Sequence, residues 1–248
     1  MFEKFDLISL LEKDYVNFFS SLAVTGAGGK TSLLFYLKDL LLQRGRRVVI
    51  TTTTHMFPVQ GMPFALDAGP ECVQKHLAQE GWVIACGYDE KKEKLCAPPA
   101  ANAELLYKTG ACVLTEADGS KRLPVKAPAA WEPVIPAQAE AVVGVLGLDG
   151  LGQPIGKAAH RPELVCELLG KSREEILTPA DLAVLAASPA GLKKGVGERP
   201  FYVCFNKADV LVKDGREKKI EKVQAQAAAL GVRAFCVSLN EGWMWRAP

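Results

Sequence analysis

Short apolar runs alternate with longer stretches of helical periodicity along this chain, an alternation that predicts a mainly parallel sheet covered by helices on both faces. The runs 22–25, 47–52, 82–86, 111–116, 141–146, 201–205 and 233–237 carry Val, Ile and Cys, which suits strands buried on both sides. Between the first two, Leu33, Leu34, Leu37, Leu40 and Leu41 recur at helical spacing over 31–44, and Gly45 follows as a stop. Thr178-Pro179-Ala180-Asp181 reads as a helix start, with a capping hydroxyl, a first-turn proline and an acid near the positive end. A further helix is expected over 217–230, closed by Gly231. The stretch 57–99 is rich in Pro and Gly and contains a charge run at 89–94. It predicts a hairpin or insertion beside the sheet, with the charges on a solvated turn.

Composition narrows the picture. With 248 residues, 49% hydrophobic and 23% charged, the chain is expected to form one domain spanning 1–248. A net charge of +2 gives no indication of nucleic acid or a membrane surface as partner. The seven cysteines form an odd set without two-residue spacing, and Cys112, Cys204 and Cys236 sit inside apolar runs. Buried thiols in a reducing compartment are expected. The opening Met1-Phe2-Glu3-Lys4 lacks a basic segment followed by an apolar stretch. No uncharged apolar run reaches the length of about 18 residues that a bilayer span needs, so a cytoplasmic location is expected.

The chemistry begins at Val24-Thr25-Gly26-Ala27-Gly28-Gly29-Lys30-Thr31-Ser32, a glycine-rich string between a predicted strand and the leucine-rich helix. In that context glycines let successive amides turn inward on a phosphate, and the helix adds its positive end. Gly26, Ala27, Gly28, Gly29, Lys30, Thr31 and Ser32 are therefore the expected phosphate site of a three-layer, P-loop NTPase-like α/β/α domain. Lys30 is expected to bridge the outer phosphates, and the Thr31 hydroxyl to bind a Mg2+ shared with the nucleotide. Val24 stands where the usual P-loop has its first glycine. The shortened T-G-x-x-G-K-T form resembles the loop of the Mur-type ATP-dependent ligases.

Further strand ends carry candidate residues. Run 111–115 leads into Glu116-Ala117-Asp118-Gly119, where Asp118 is the first choice for the Mg2+ and Glu116 for orienting water as a base. Thr51-Thr52-Thr53-Thr54-His55 follows the second strand; Thr52, Thr53, Thr54 and His55 are candidates for sensing a terminal phosphate or simply finish the strand. Asn206-Lys207-Ala208-Asp209 matches the N-K-x-D box of GTPases, in which the carboxylate accepts the guanine donors, the lysine stem covers the ring and the asparagine braces the loop. GTP is thereby favoured over ATP, although Glu116–Gly119 is not the D-x-x-G of such GTPases.

With these motifs placed, the chain resembles the selenium-dependent molybdenum hydroxylase accessory proteins of the YqeC type. The likeness rests on V-T-G-A-G-G-K-T at 24–31, T-T-T-T-H at 51–55, E-A-D-G-S-K at 116–121, L-P-V-K-A-P at 123–128, E-P-V-I-P at 132–136, H-R-P-E at 160–163 and N-K-A-D at 206–209. The resemblance implies nucleotide binding and a role in maturing selenium-containing molybdenum hydroxylases, with such a hydroxylase or its cofactor-maturation proteins as partner. Beside the acidic turn, Lys121, Arg122 and Lys126 either bind an anionic substrate or form a solvated basic loop. Arg161, next to His160, either reaches a phosphate or belongs to a helix start. Three functions are open at this level: a Mg-dependent GTP or ATP hydrolase, an ATP-dependent kinase or Mur-like ligase on a small anionic acceptor, and a non-catalytic nucleotide-binding switch. In the last, Trp243, Met244 and Trp245 form either a docking patch or a core edge.

Overall fold

A computed structural model describes residues 2–4, 8, 19–58 and 61–245; Met1 and residues 59–60 of the expected insertion lie outside them. Seven strands carry the fold: β1 (Ser21–Gly26), β2 (Val48–Thr52), β3 (Trp82–Asp89), β4 (Cys112–Glu116), β5 (Ala141–Gly147), β6 (Phe201–Asn206) and β7 (Arg233–Ser238). They pair in the order β7-β6-β5-β1-β4-β2-β3, every contact parallel. The longest helices among the described residues are α1 (Lys30–Gln43), α2 (Pro70–Gln79), α3 (Ala100–Leu106), α4 (Pro162–Leu169), α5 (Pro179–Ala187) and α6 (Glu217–Ala229).

The strands alternate between two apolar clusters, as a sheet buried on both faces must. Leu22, Val24, Cys112, Leu114, Val143 and Val145 face the α1 leucines. On the opposite face, Val203, Phe205 and Cys236 meet α5 and α6, while Val49, Val83 and Val113 meet α2 and α3. This is a three-layer α/β/α arrangement with a mostly parallel sheet. Burial pushes the thiols of Cys86 and Cys112 up to about 12, so they are protonated, inert parts of the core.

Local chemistry sets the element ends. Gly45 closes α1 in the left-handed region at φ 70°, and its amide donates to Leu42 O at 2.9 Å, the usual terminator geometry. α5 opens on a reciprocal capping box: Asp181 N donates to Thr178 Oγ1 at 3.3 Å and Thr178 N donates to the Asp181 carboxylate at 2.8 Å.

The edges depart from the parallel pattern. Residues 61–99 are woven into the sheet: Phe64–Leu66 pairs parallel with β3, α2 covers that pair, and β3 folds back antiparallel onto Lys94–Cys96, which in turn receives His55–Met56 antiparallel. The charge run occupies the turn of this hairpin. At the other end, Trp243–Trp245 pairs antiparallel with β7 and then with Phe2–Lys4. Trp245 is 7% exposed, so this segment is a core edge. No helix among the described residues is long and apolar enough to cross a membrane.

Candidate functional site

Because the seven strands are parallel, their carboxyl ends share one edge of the sheet, where open α/β folds place ligands. β1 ends in the glycine loop, flanked by β4 and β5. Gly26, Gly28 and Gly29 take φ of 95°, 81° and 126°, conformations that a side chain disfavours. Neighbours also exclude one, since a Cβ on Gly26 would strike Val145 O and one on Gly28 the Gly147 backbone.

The amides of the loop do not all face a ligand. Gly26 N donates to Asp118 Oδ2 at 3.0 Å, Ala27 N to Val145 O at 2.8 Å and Gly28 N to Leu123 O at 3.1 Å. These three amides are turned into the fold, which corrects the expectation of an inward-facing cradle from Gly26 onward. By contrast, the amides of Gly29, Lys30, Thr31 and Ser32 have no acceptor among the described residues, and the first α1 bond outside them is Leu33 N to Gly29 O. The shortened loop thus presents the four orphan donors of a helix N-terminus, with the dipole behind them.

Lys30 curls back over the loop, 4% exposed. Its ammonium donates to Gly26 O at 2.7 Å and Ser120 Oγ at 3.1 Å, and stands 3.3 Å from Asp118 Oδ1. Asp118 Oδ2 also faces Lys126 Nζ at 3.0 Å. Lys126 is wholly buried and donates to Glu132 at 2.7 Å and Gly119 O at 2.7 Å; Glu132 in turn accepts from Arg161 Nη1 at 2.6 Å and Nη2 at 3.2 Å. Opposite charges therefore alternate from Lys30 through Asp118, Lys126 and Glu132 to Arg161. Burial opposes the charge on Glu132, but hydrogen bonds from Lys126 and Arg161 prevail and hold its carboxyl below the usual range. Lys126 lies beneath the site rather than facing a substrate.

The two acids of the turn separate. Asp118 lies under the loop, whereas Glu116 faces a cavity of about 620 Å³ and accepts the Thr31 hydroxyl at 2.8 Å. Burial lifts the Glu116 carboxyl above the ordinary carboxylate range, against the pull of Lys30 and Thr31. Gly28, Gly29, Lys30, Thr31, Ser32, Thr54, His55, Lys121, Arg122, Glu132, His160, Arg161 and Lys207 also line this cavity. Gly26, Ala27, Thr52, Thr53, Asn206 and Asp209 do not. Burial and the nearby Arg161 and Lys126 push His160 down to about 4, leaving a neutral imidazole at physiological pH.

The threonine run divides its labour. Thr51, Thr52 and Thr53 donate to Ala85 O at 2.7 Å, Glu116 O at 2.9 Å and Val134 O at 2.8 Å, tying β2 to its surroundings. Thr54 Oγ1 is buried at the cavity wall with no hydrogen-bond partner among the described residues. His55 Nε2 lies 3.2 Å from Asp89 and 3.1 Å from Lys92. Among the described residues, His, Cys, Asp and Glu form no cluster of three able to hold a metal ion.

At the end of β6, Asn206 Nδ2 donates to Gly28 O at 2.9 Å and its Oδ1 accepts Leu239 N at 3.2 Å. It joins two strand-end loops to the glycine loop. Lys207, at φ 65°, reaches the cavity and pairs with Asp149 at 2.6 Å. Asp209 begins the following helical turn and pairs with Lys213 at 3.4 Å.

Several neighbours carried no role in the sequence reading. Asp149 follows β5 in the same strand-end position as the other acids, which is the cue that would have found it. Glu132 stands in the Pro-rich string, where only folding reveals its partners. Phe57 and Lys94 enter the cavity from the antiparallel edge. Lys121 and Arg122 sit in succession at φ 48° and 61°, a conformation costing roughly 1–2 kcal/mol per L-residue.

The family model for the YqeC protein matches residues 22–163, which include the glycine loop, the acidic turn and Arg161. An uncharacterised protein of Escherichia coli strain K12, YqeC, is 36% identical over 181 residues, covering 71% of this chain and 70% of that protein. No solved structure matches the chain.

Proposed function

This chain belongs to the YqeC family, and from that premise we propose that it binds and hydrolyses a Mg-nucleoside triphosphate, GTP in preference to ATP, as an accessory factor in maturing selenium-dependent molybdenum hydroxylases. One observation carries the nucleotide reading: four amides without an acceptor among the described residues, Lys30 and the Thr31–Glu116 pair open together into one cavity at the head of α1. A triphosphate tail supplies the acceptors those amides lack, and its charge suits the helix dipole and Lys30. The hydroxylase role rests on the family resemblance alone.

The residues fit a magnesium ion. Thr31 Oγ1 and Glu116 Oε2 are adjacent hard oxygen donors facing the cavity, and Mg2+ commonly takes only one or two protein oxygens, with phosphates and water completing its shell. In this reading Glu116 takes the role first given to Asp118, whose oxygens serve Lys30, Lys126 and Gly26 N. When bound, the ion would neutralise charge on the phosphate oxygens. The chain's own contribution is placement: Asn206 and Asp118 hold the loop from behind, and Lys30 needs only to exchange Gly26 O for a phosphate.

Titration of fluorescent GTP and ATP analogues with and without Mg2+, followed by phosphate-release assays, tests the proposal. Absence of saturable binding of either nucleotide would overturn it. Guanine preference is expected to fall about tenfold in Asp209→Ala, the loss of roughly one charge-assisted contact, with ATP binding and the melting temperature preserved. An unchanged GTP-to-ATP ratio would remove Asp209 from base recognition.

Glu116→Gln separates metal binding from folding. It is expected to lower the Mg2+ enhancement of nucleotide affinity about tenfold. Since burial raises the folded-state pKa of this acid, ionisation weighs against the fold, and the contribution of Glu116 to stability declines as pH rises from the ordinary carboxylate value through the folded one. The variant should therefore melt higher than wild type above that window and equally below it. Thermal melts from pH 4 to 8 check the sign; a variant less stable at pH 8 would contradict it.

A further inference from the structure

We propose that the cavity holds a second anion subsite, built from Lys94, Lys121 and Arg122 around the Phe57 ring, which takes a phosphate-bearing co-substrate beside the nucleotide. The inference rests on the nucleotide reading for its orientation. In the strand order β6-β5-β1-β4-β2-β3, the base-reading candidates lie at the end of β6, on one flank of the phosphate loop. Lys121 and Arg122 follow β4, Phe57 follows β2, and Lys94 comes from the hairpin beyond β3, all on the other flank. A nucleotide whose base points toward Lys207 leaves this region past its terminal phosphate, where an acceptor would stand.

Among the described residues the charges there have no carboxylate partner. Lys30, Arg161 and Lys207 each have a carboxylate partner in Asp118, Glu132 and Asp149. No described residue places a carboxylate within ion-pair distance of Lys94, Lys121 or Arg122, although all three line the cavity. Phe57, 43% exposed, lies 4.7 Å from Lys94 Nζ and 3.9 Å from Arg122 Cζ, so its ring steadies both cations and leaves their donors open. The left-handed backbone of Lys121 and Arg122 is strain of the kind that collects at ligand clamps. Cations gathered around one ring with no carboxylate in ion-pair range, facing a cavity open to solvent, match a dianionic phosphate.

The test uses inorganic phosphate as probe, with wild-type protein saturated with Mg2+ and a non-hydrolysable GTP analogue. The comparison is the double variant Lys121→Gly/Arg122→Gly, because glycine accepts the left-handed turn without strain. Equilibrium dialysis should show one phosphate bound beside the analogue, with affinity lowered at least about tenfold in the variant and analogue affinity changed less than about twofold. The subsite is overturned if the variant binds phosphate as wild type does or if phosphate only displaces the analogue. It is equally overturned if analogue affinity falls in step with phosphate affinity, since the cations then serve the nucleotide itself. Should the analogue not bind wild type, the nucleotide reading fails on its own. Phosphate binding to Lys30→Ala with and without the glycine pair then decides the subsite: loss upholds it and no loss overturns it.

Discussion

Lys30→Ala is expected to lower Mg-nucleotide affinity by roughly two orders of magnitude or more, because the ammonium supplies charge-assisted contacts worth about 1.5–3 kcal/mol each. The fold should survive. Asp118 keeps Lys126 at 3.0 Å and Gly26 N at 3.0 Å, so the buried carboxylate retains a cation and a donor when Lys30 is gone. Circular dichroism and urea unfolding measure the second half of that statement, and fluorescent-nucleotide titration the first. Nucleotide affinity within about threefold of wild type, in a folded variant, would remove the proposed phosphate site.

Lys126→Met is the complementary case, in which the fold itself is expected to fail first. The ammonium is wholly buried and stands between Asp118 and Glu132. Its removal leaves neighbouring carboxylates in the interior with one fewer cation, a change that typically costs about 3–5 kcal/mol. A large drop in the urea midpoint is expected, partly restored by adding Glu132→Gln, since the residues belong to one network. An unchanged midpoint in Lys126→Met would show that the network carries no stability. Acid should act in the same direction: Glu132 has a lowered folded-state pKa, so the stability it contributes is present above the ordinary carboxylate range and lost as pH falls through the folded value.

Much of this architecture was legible because parallel strands announce themselves. Each of β1 to β7 overlaps an expected run, most of them extending it by one to three residues, and α1 follows from five leucines and a terminating glycine. The short edge pieces were harder: Phe64–Leu66, which pairs parallel with β3, and the antiparallel His55–Met56 and Lys94–Cys96 are two or three residues long, and their pairing depends on what their neighbours offer rather than on their own pattern. The same division runs through the candidate site. Thr31, Glu116, Lys121 and Lys207 share a cavity because each stands at or beyond the carboxyl end of a strand in a parallel sheet, which is readable from order alone. The burial of Lys126 was not readable, because its acid, Glu132, comes into reach only when the Pro-rich string folds back. Nor was the aim of the Gly26–Gly28 amides, which the Asp118 carboxylate and the carbonyls of Val145 and Leu123 determine.

That last feature bears on kinetics. The glycine loop is moored from four directions, by Asp118, Val145, Leu123 and Asn206, so an arriving phosphate meets a seat already shaped and little backbone entropy remains to be surrendered on capture. Ligands that share a phosphate tail should then associate at similar rates, and what distinguishes a tight one from a weak one is how long it stays.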